Sequence, residues 1–245
     1  MRNLLVELRY NGARYHGYQI QKNAITITEV VQDTIEDLLH AREPIVGCSR
    51  TDSKVHANSY FFNMKTKFKI PTQKFVKIMN NALPNDISVL SCTEVPLDFH
   101  ARYHCKGKEY IYKIYNAPVK DPFQADLSLL HKTPIDEKLL HETAQVLVGT
   151  HDFTSFCSLG FKPGIPMTKT IEYINIYREG DFVYMKIKAN GFLYNMVRII
   201  VGTLLYVNDG KIKPESLLDI MEKKDRTVAG KTAEPQGLYL NSIEY

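Results

Sequence analysis

The chain is 245 residues long, 44% hydrophobic and 24% charged, which allows a sizeable buried core and excludes a disordered or fibrous protein. No apolar run approaches the roughly 20 residues that span a bilayer, and Met1-Arg2-Asn3-Leu4 leads into a strand-like segment with charges at Glu7 and Arg9 rather than a signal peptide, so a cytoplasmic protein is expected. The formal net charge of +4 is spread over both halves, so any nucleic-acid surface has to be assembled by folding rather than by a basic tail.

In chain order, residues 3–10 form a strand candidate that ends at the turn signal Asn11-Gly12. A helix follows, with Val31, Ile35, Leu38 and Leu39 on one face and Thr26 with Glu29 as its capping box, Thr28 being a second candidate cap. Residues 43–48 and 57–66 read as strands around a polar loop. A second helix is predicted from Pro71, burying Phe75, Ile78, Met79 and Ala82 and stopping before Pro84. Strands at 87–95 and 108–116 come next. Thr133-Pro134 is expected to open a helix carrying Leu139, Leu140, Ala144, Leu147 and Val148, ended by Gly149 in a left-handed conformation. Strands at 171–178 and 182–190, a helix near 194–207, a short helix after Pro214 and a strand at 237–244 complete the chain.

Alternating strands and helices with short connections argue an α+β or α/β chain with a shared central sheet. No strict repeat is visible, but the similar element order of the two halves suggests two related lobes with a groove between them. The expected division is an N-terminal lobe of residues 1–103 and a C-terminal lobe of residues 104–245.

Cys48, Cys92, Cys105 and Cys157 lie far apart without a CxxC pair and read as reduced thiols. His100, His104 and Cys105 stand close together, but a second pair of ligands at metal-site spacing is missing, so no metal site is expected.

The most informative stretch is Gly47-Cys48-Ser49-Arg50-Thr51-Asp52-Ser53-Lys54-Val55-His56-Ala57, which puts a carboxylate in a polar loop between two apolar segments. Taken alone, Arg50 and Asp52 there would be expected only to tie the loop down. A second residue stands out by its setting. Arg198 interrupts an apolar helix between Val197 and Ile199, and a buried Arg needs an anionic partner or nucleic acid.

The loop resembles the GRTDxGVHA motif of the A-type tRNA pseudouridine synthases. Five further segments resemble that family's motifs in the same order. They are Tyr10-Asn11-Gly12 through Gly17-Tyr18-Gln19; Asp98-Phe99-His100-Ala101-Arg102-Tyr103 with Tyr110-Ile111-Tyr112; Gly149-Thr150-His151-Asp152-Phe153-Thr154-Ser155-Phe156; Phe192 through Met196-Val197-Arg198; and Ala233 through Gly237-Leu238-Tyr239.

The resemblance implies an α+β pseudouridine synthase fold, two related α/β lobes sharing a mainly antiparallel sheet, with the active-site cleft between them. It implies an isomerase that needs neither metal nor cofactor, acting on uridines 38, 39 and 40 of the tRNA anticodon stem-loop, and a homodimer with no membrane association. It assigns Asp52 as the reacting carboxylate, at C1′ of the sugar, in deprotonating it, or at C6 of the base. Arg198 would hold that carboxylate ionised. Tyr110 would stack on the flipped base. Arg50 would hold the nucleotide out of its helix, and dispersed Lys and Arg would meet the phosphates. Tyr112 and His56 are expected to be structural, and Asp152 to brace the turn after Gly149. A synthase acting on other RNA positions, and an RNA-binding module without chemistry, remain alternative readings.

Departures from the family pattern are informative. Ser53-Lys54 stands where many members carry Ala-Gly, so a left-handed backbone at residue 54 would cost roughly 1–2 kcal/mol, and Lys54 gains a possible phosphate contact. Tyr18 replaces the usual Trp, Tyr194-Asn195 replaces the polar pair before Met-Val-Arg, and residues 161–170 are the least family-like.

Overall fold

The computed structural model describes residues 1–158, 164 and 166–245. The chain forms an α+β structure that divides into two compact units, residues 1–106 with 239–245, and residues 107–238. The last strand therefore joins the N-terminal unit, although its place in the sequence assigned it to the C-terminal lobe. The least family-like stretch, 161–170, lies partly outside the described residues.

In the N-terminal unit, β1 (Arg2–Tyr10) is the central strand of an antiparallel set, flanked by β3 (His56–Thr66) and β4 (Ile87–Val95). The short β2 (Ile45–Gly47) pairs antiparallel with β3, and β10 (Leu238–Glu244) pairs parallel with it through Tyr239 and Leu240. Leu4, Val6, Leu8 and Tyr10 alternate into the core, the period-2 pattern of a strand with one buried face. Helix α1 (Ile27–Leu39) starts where Thr26 accepts a hydrogen bond from the Glu29 amide at 3.4 Å, so Thr26 is the cap, while Thr28 donates to the Tyr18 carbonyl. Its buried face carries Val31, Ile35 and Leu39.

Helix α2 (Thr72–Ala82) buries Phe75 and Met79 as expected. Truncating a fully buried Phe such as Phe75 costs about 3–5 kcal/mol. Ala82, however, is exposed, and Leu83 takes the buried place, because the backbone turns extended before Pro84.

In the C-terminal unit, β5 (Gly107–Asn116), β9 (Phe182–Ala189), β8 (Thr168–Glu179) and β7 (Gly149–Asp152) pair in that order, all antiparallel, with β6 (Leu129–His131) parallel to β5. Helix α3 spans Glu137–Ala144 and begins later than expected. Asp136, not Thr133-Pro134, supplies the cap, accepting from the Lys138 and Leu139 amides at 3.1 and 3.0 Å. Pro134 is held outside the helix by Asn208, whose side-chain amide donates to its carbonyl at 3.0 Å. Helix α4 (Met196–Asn208) is buried on nearly every side, and α5 (Ser216–Glu222) is short. Among the described residues, no helix is long and apolar enough to cross a membrane.

Candidate active site

Asp52 sits half-buried in the loop between β2 and β3, and that loop is clamped by the motif at the start of the chain. The Tyr18 amide donates to the Thr51 carbonyl at 3.2 Å and the Lys54 amide to the Tyr15 carbonyl at 3.0 Å. The Tyr10 hydroxyl is hydrogen-bonded to the buried Thr51 hydroxyl at 2.9 Å, and Tyr15 donates to Asp86 at 2.6 Å. Two glycines are required where the segments cross. A β-carbon on Gly12 would stand 2.0 Å from the Val55 carbonyl oxygen. One on Gly17, whose φ is +88°, would stand 2.6 Å from that of Thr51. The YNG…GYQ signature therefore forms a backbone cradle for the Asp loop.

Within the loop, the Val55 amide donates to the Asp52 carbonyl at 3.2 Å, a tight turn that leaves Lys54 at φ +64°. The residue that departs from the family's Gly occupies a backbone position favouring Gly. The strain attaches to the Asp52 loop itself.

His56 is buried and stacks on Tyr239, ring centroids 4.5 Å apart, while its Nδ1 accepts the Gly12 amide at 3.0 Å. It pins the cradle to β10, a structural role. Arg50 and Lys54 are both exposed.

Tyr110 and Arg198 belong to the C-terminal unit. Tyr110 lies on β5 opposite Ile187, 7% exposed, with the ring of Phe192 edge-on at 5.1 Å. Arg198, in the first turn of α4, donates through Nε to the Ala233 carbonyl at 2.7 Å and through a terminal nitrogen to the Asn195 side-chain oxygen at 2.8 Å. The Ala233 amide in turn donates to the Arg198 carbonyl at 3.0 Å. Asn195 is at φ +60°, ψ +10°, a region Asn tolerates better than most residues, and its amide donates to Ser158 at 2.9 Å. The orientation of Arg198 thus depends on Asn195 and on the Ala233 segment. Asn195 was visible in the sequence only as a departure from pattern, with no sign of this role.

Tyr112 is fully buried and donates to the Glu234 carbonyl at 2.6 Å. Burial pushes its phenol well above the ordinary range, with nearby Arg198 opposing, so it stays protonated and structural. Asp152 accepts from the Thr154 amide and hydroxyl at 3.0 and 2.6 Å and pairs with Lys224 at 2.9 Å. Burial acts to raise its pKa, but the bonds from Thr154 and Lys224 outweigh it and hold the carboxyl below its ordinary value. It braces the turn after Gly149, whose φ is +108°.

His100 and His104 serve a turn. The His104 Nδ1 accepts the His100 amide at 3.0 Å, and the His100 Nδ1 accepts those of Arg102 and Tyr103.

The chain is similar to known proteins over most of its length. The sequence model described as tRNA pseudouridine synthase matches residues 8–104 and 143–245. Curated relatives called tRNA pseudouridine synthase A align over the full length of both chains: 44% identity over 245 residues in Thermoanaerobacter sp. (strain X514), and 41% over 245 residues in Clostridium acetobutylicum. The relative of that name from Ruminiclostridium cellulolyticum is 42% identical over 246 residues, again covering all of both chains. These matches define a class of RNA isomerases, the pseudouridine synthases. Within it, the chain belongs to the tRNA pseudouridine synthase family.

Proposed function

We propose that this protein isomerises uridine to pseudouridine at positions 38, 39 and 40 of the tRNA anticodon stem-loop, as a cytoplasmic homodimer without metal or cofactor. The observation that carries the reading is the clamped loop. A carboxylate is presented half-exposed from a turn whose backbone is fixed by two glycine crossings and a buried tyrosine–threonine hydrogen bond.

In this reading Asp52 is the catalytic carboxylate. As an anion it attacks the sugar C1′ or assists its deprotonation, and the N1–C1′ bond breaks. The uracil leaves with the N1–C1′ electron pair, turns and bonds to C1′ through C5, displacing the carboxylate where it had bonded there; the C5 proton is lost to water and N1 takes one up. Attack on C6 of the base is the other route by which the same carboxylate could act. Arg198 supplies the permanent positive charge that keeps the carboxylate ionised, and Tyr110 stacks on the base. Arg50 holds the nucleotide extruded and Lys54 meets a phosphate. Targets at neighbouring positions fit recognition by RNA shape rather than base sequence.

The test is tritium release from tRNA labelled at uracil C5, with the wild type and Asp52→Ala compared. Release by the wild type alone, with tRNA binding retained by the variant, is the expected result. Equal release by both sinks the assignment of Asp52, and tight binding without release by either replaces the enzyme with a binding module.

A further inference from the structure

A hollow of about 430 Å³ opens in the N-terminal unit, sharing Ser49 and Arg50 with the Asp52 loop, and Asp52 is not among its lining residues. Its walls include Tyr18, Gln19, Arg50, His100, Arg102 and Tyr103. The volume falls in the roughly 300–1,000 Å³ range of small-ligand sites, enough for one nucleotide and too small for a duplex.

Tyr103 is 75% exposed, a large aromatic ring left in water, yet it is not loose. It stacks on His100 with centroids 4.1 Å apart and planes 26° from parallel. The Arg102 and Tyr103 amides donate to the His100 Nδ1 at 3.2 and 3.3 Å, so the ring is fixed and its proton sits on Nε2, a donor for a base or phosphate oxygen. The exposed face is therefore pre-ordered, which lowers the entropy lost when something stacks on it. The charge on the walls is one-sided. Arg50 and Arg102 line the hollow and, among the described residues, no carboxylate does. An aromatic platform flanked by guanidinium groups is the chemistry that holds a splayed-out nucleotide: the base gains stacking and the phosphate gains charge-assisted hydrogen bonds.

We propose that this hollow is a second nucleotide site, taking an unpaired nucleotide of the substrate RNA other than the uridine on which Asp52 acts, with its base on Tyr103 and its phosphate against Arg102. The proposal rests on the function proposed above. Holding a neighbouring nucleotide beside the Arg50–Asp52 loop would set the register of the strand and present one uridine at a time.

The experiment measures binding by fluorescence anisotropy, with a fluorescein-labelled unmodified tRNA transcript and, as control, a fully paired RNA duplex of similar length. The proteins are the wild type, Tyr103→Ala and Tyr103→Phe. Tyr103→Ala is expected to weaken tRNA binding about tenfold and leave duplex binding unchanged, while Tyr103→Phe, which keeps the ring, stays within twofold of wild type. With saturating tRNA, the kcat of Tyr103→Ala stays near wild type, so the loss falls on KM. Tyr103 is too exposed for its truncation to unfold the chain, and thermal melts of the three proteins check this. A tRNA affinity unchanged in Tyr103→Ala, or equal weakening for tRNA and duplex, overturns the proposal. So does a loss of molecular mass in light scattering, which would mean that a second copy of the chain covers this surface. Pseudouridine formation by the wild type is scored separately. Its absence beside a tRNA-selective binding loss sinks the functional reading and leaves the nucleotide site standing.

Discussion

The α-carbon of Gly17 lies against the carbonyl of Thr51, so closely that a β-carbon there would sit 2.6 Å from the oxygen. Gly17 is also at φ +88°, so a side chain is opposed twice, by the crossing and by its own backbone. Because Thr51 precedes Asp52, relief of the clash has to move the loop that displays the carboxylate. Gly17→Ala is expected to cost at least the roughly 1–2 kcal/mol of a left-handed non-glycine residue. It should also lower kcat by about 100-fold, the scale of a 1 Å misplacement at a reacting group. A thermal melt and single-turnover pseudouridine formation check both; a variant with wild-type kcat would show that Gly17 serves only the fold.

Lys54 offers the opposite experiment. Its φ of +64° is strained for a Lys, and the family's common Gly would relax it. Relief of about 1–2 kcal/mol is offset by the roughly 0.4–1 kcal/mol of extra chain entropy that Gly brings to the unfolded state. Lys54→Gly should therefore raise stability by about 0.5–1 kcal/mol in denaturant unfolding. If the exposed ammonium meets a phosphate, the same change flattens the salt dependence of tRNA binding by about one in log–log slope. A more stable protein with an unaltered salt slope would keep the strain argument and remove Lys54 from the RNA contacts.

Most of the fold was legible because its elements carry long periods. The alternation along β1 and the spacing of Val31, Ile35 and Leu39 in α1 each commit one face to the core. What was missed is short or set by tertiary contact. Strands β6 and β7 have three and four residues, too few to show a period. The start of α3 moved to Asp136 because Pro134 is engaged by Asn208 from another helix, a contact that no local pattern announces. The site divides in the same way. Asp52, Tyr110 and Arg198 became candidates through motif order, while the cradle of the Asp52 loop and the bond from Arg198 to Asn195 depend on contacts that no local pattern announces.

That support can be tested without disturbing the backbone. Asn195→Gly keeps the φ of +60° available and removes only the side-chain oxygen that accepts from Arg198 at 2.8 Å and the amide that reaches Ser158. A hydrogen bond to a charged group is worth about 1.5–3 kcal/mol, so kcat should fall by roughly tenfold or more if Arg198 needs this orientation. Asn195→Ala should lose the same activity and also stability, since Ala is strained at this φ. Should Asn195→Gly react at the wild-type rate, the Asn195 side chain is not needed to hold Arg198.

A pH dependence follows from His131, in the C-terminal unit. Its ring is largely but not fully buried, with Nε2 3.2 Å from an Asp209 oxygen and its side chain 15% exposed. Burial lowers its pKa below the ordinary value, and Asp209 opposes without reversing the shift. Above about pH 6.5, the unfolded-state value, the ring is neutral in both states and contributes no slope. As pH falls through 6.5 the unfolded chain takes up a proton that the folded protein resists, so stability falls with pH until the lowered folded pKa is reached, where the slope vanishes. The carboxyls of Glu137 and Asp152 are also held below their ordinary values, so their contribution is lost only as pH falls through and below the ordinary carboxylate range, under the interval tested, and does not mask the effect. Denaturant unfolding at intervals from pH 7.5 to 5 should show this loss in the wild type and a shallower one in His131→Gln. Parallel curves for the two proteins would mean that His131 takes up its proton as readily in the fold as outside it, with Asp209 fully compensating the burial.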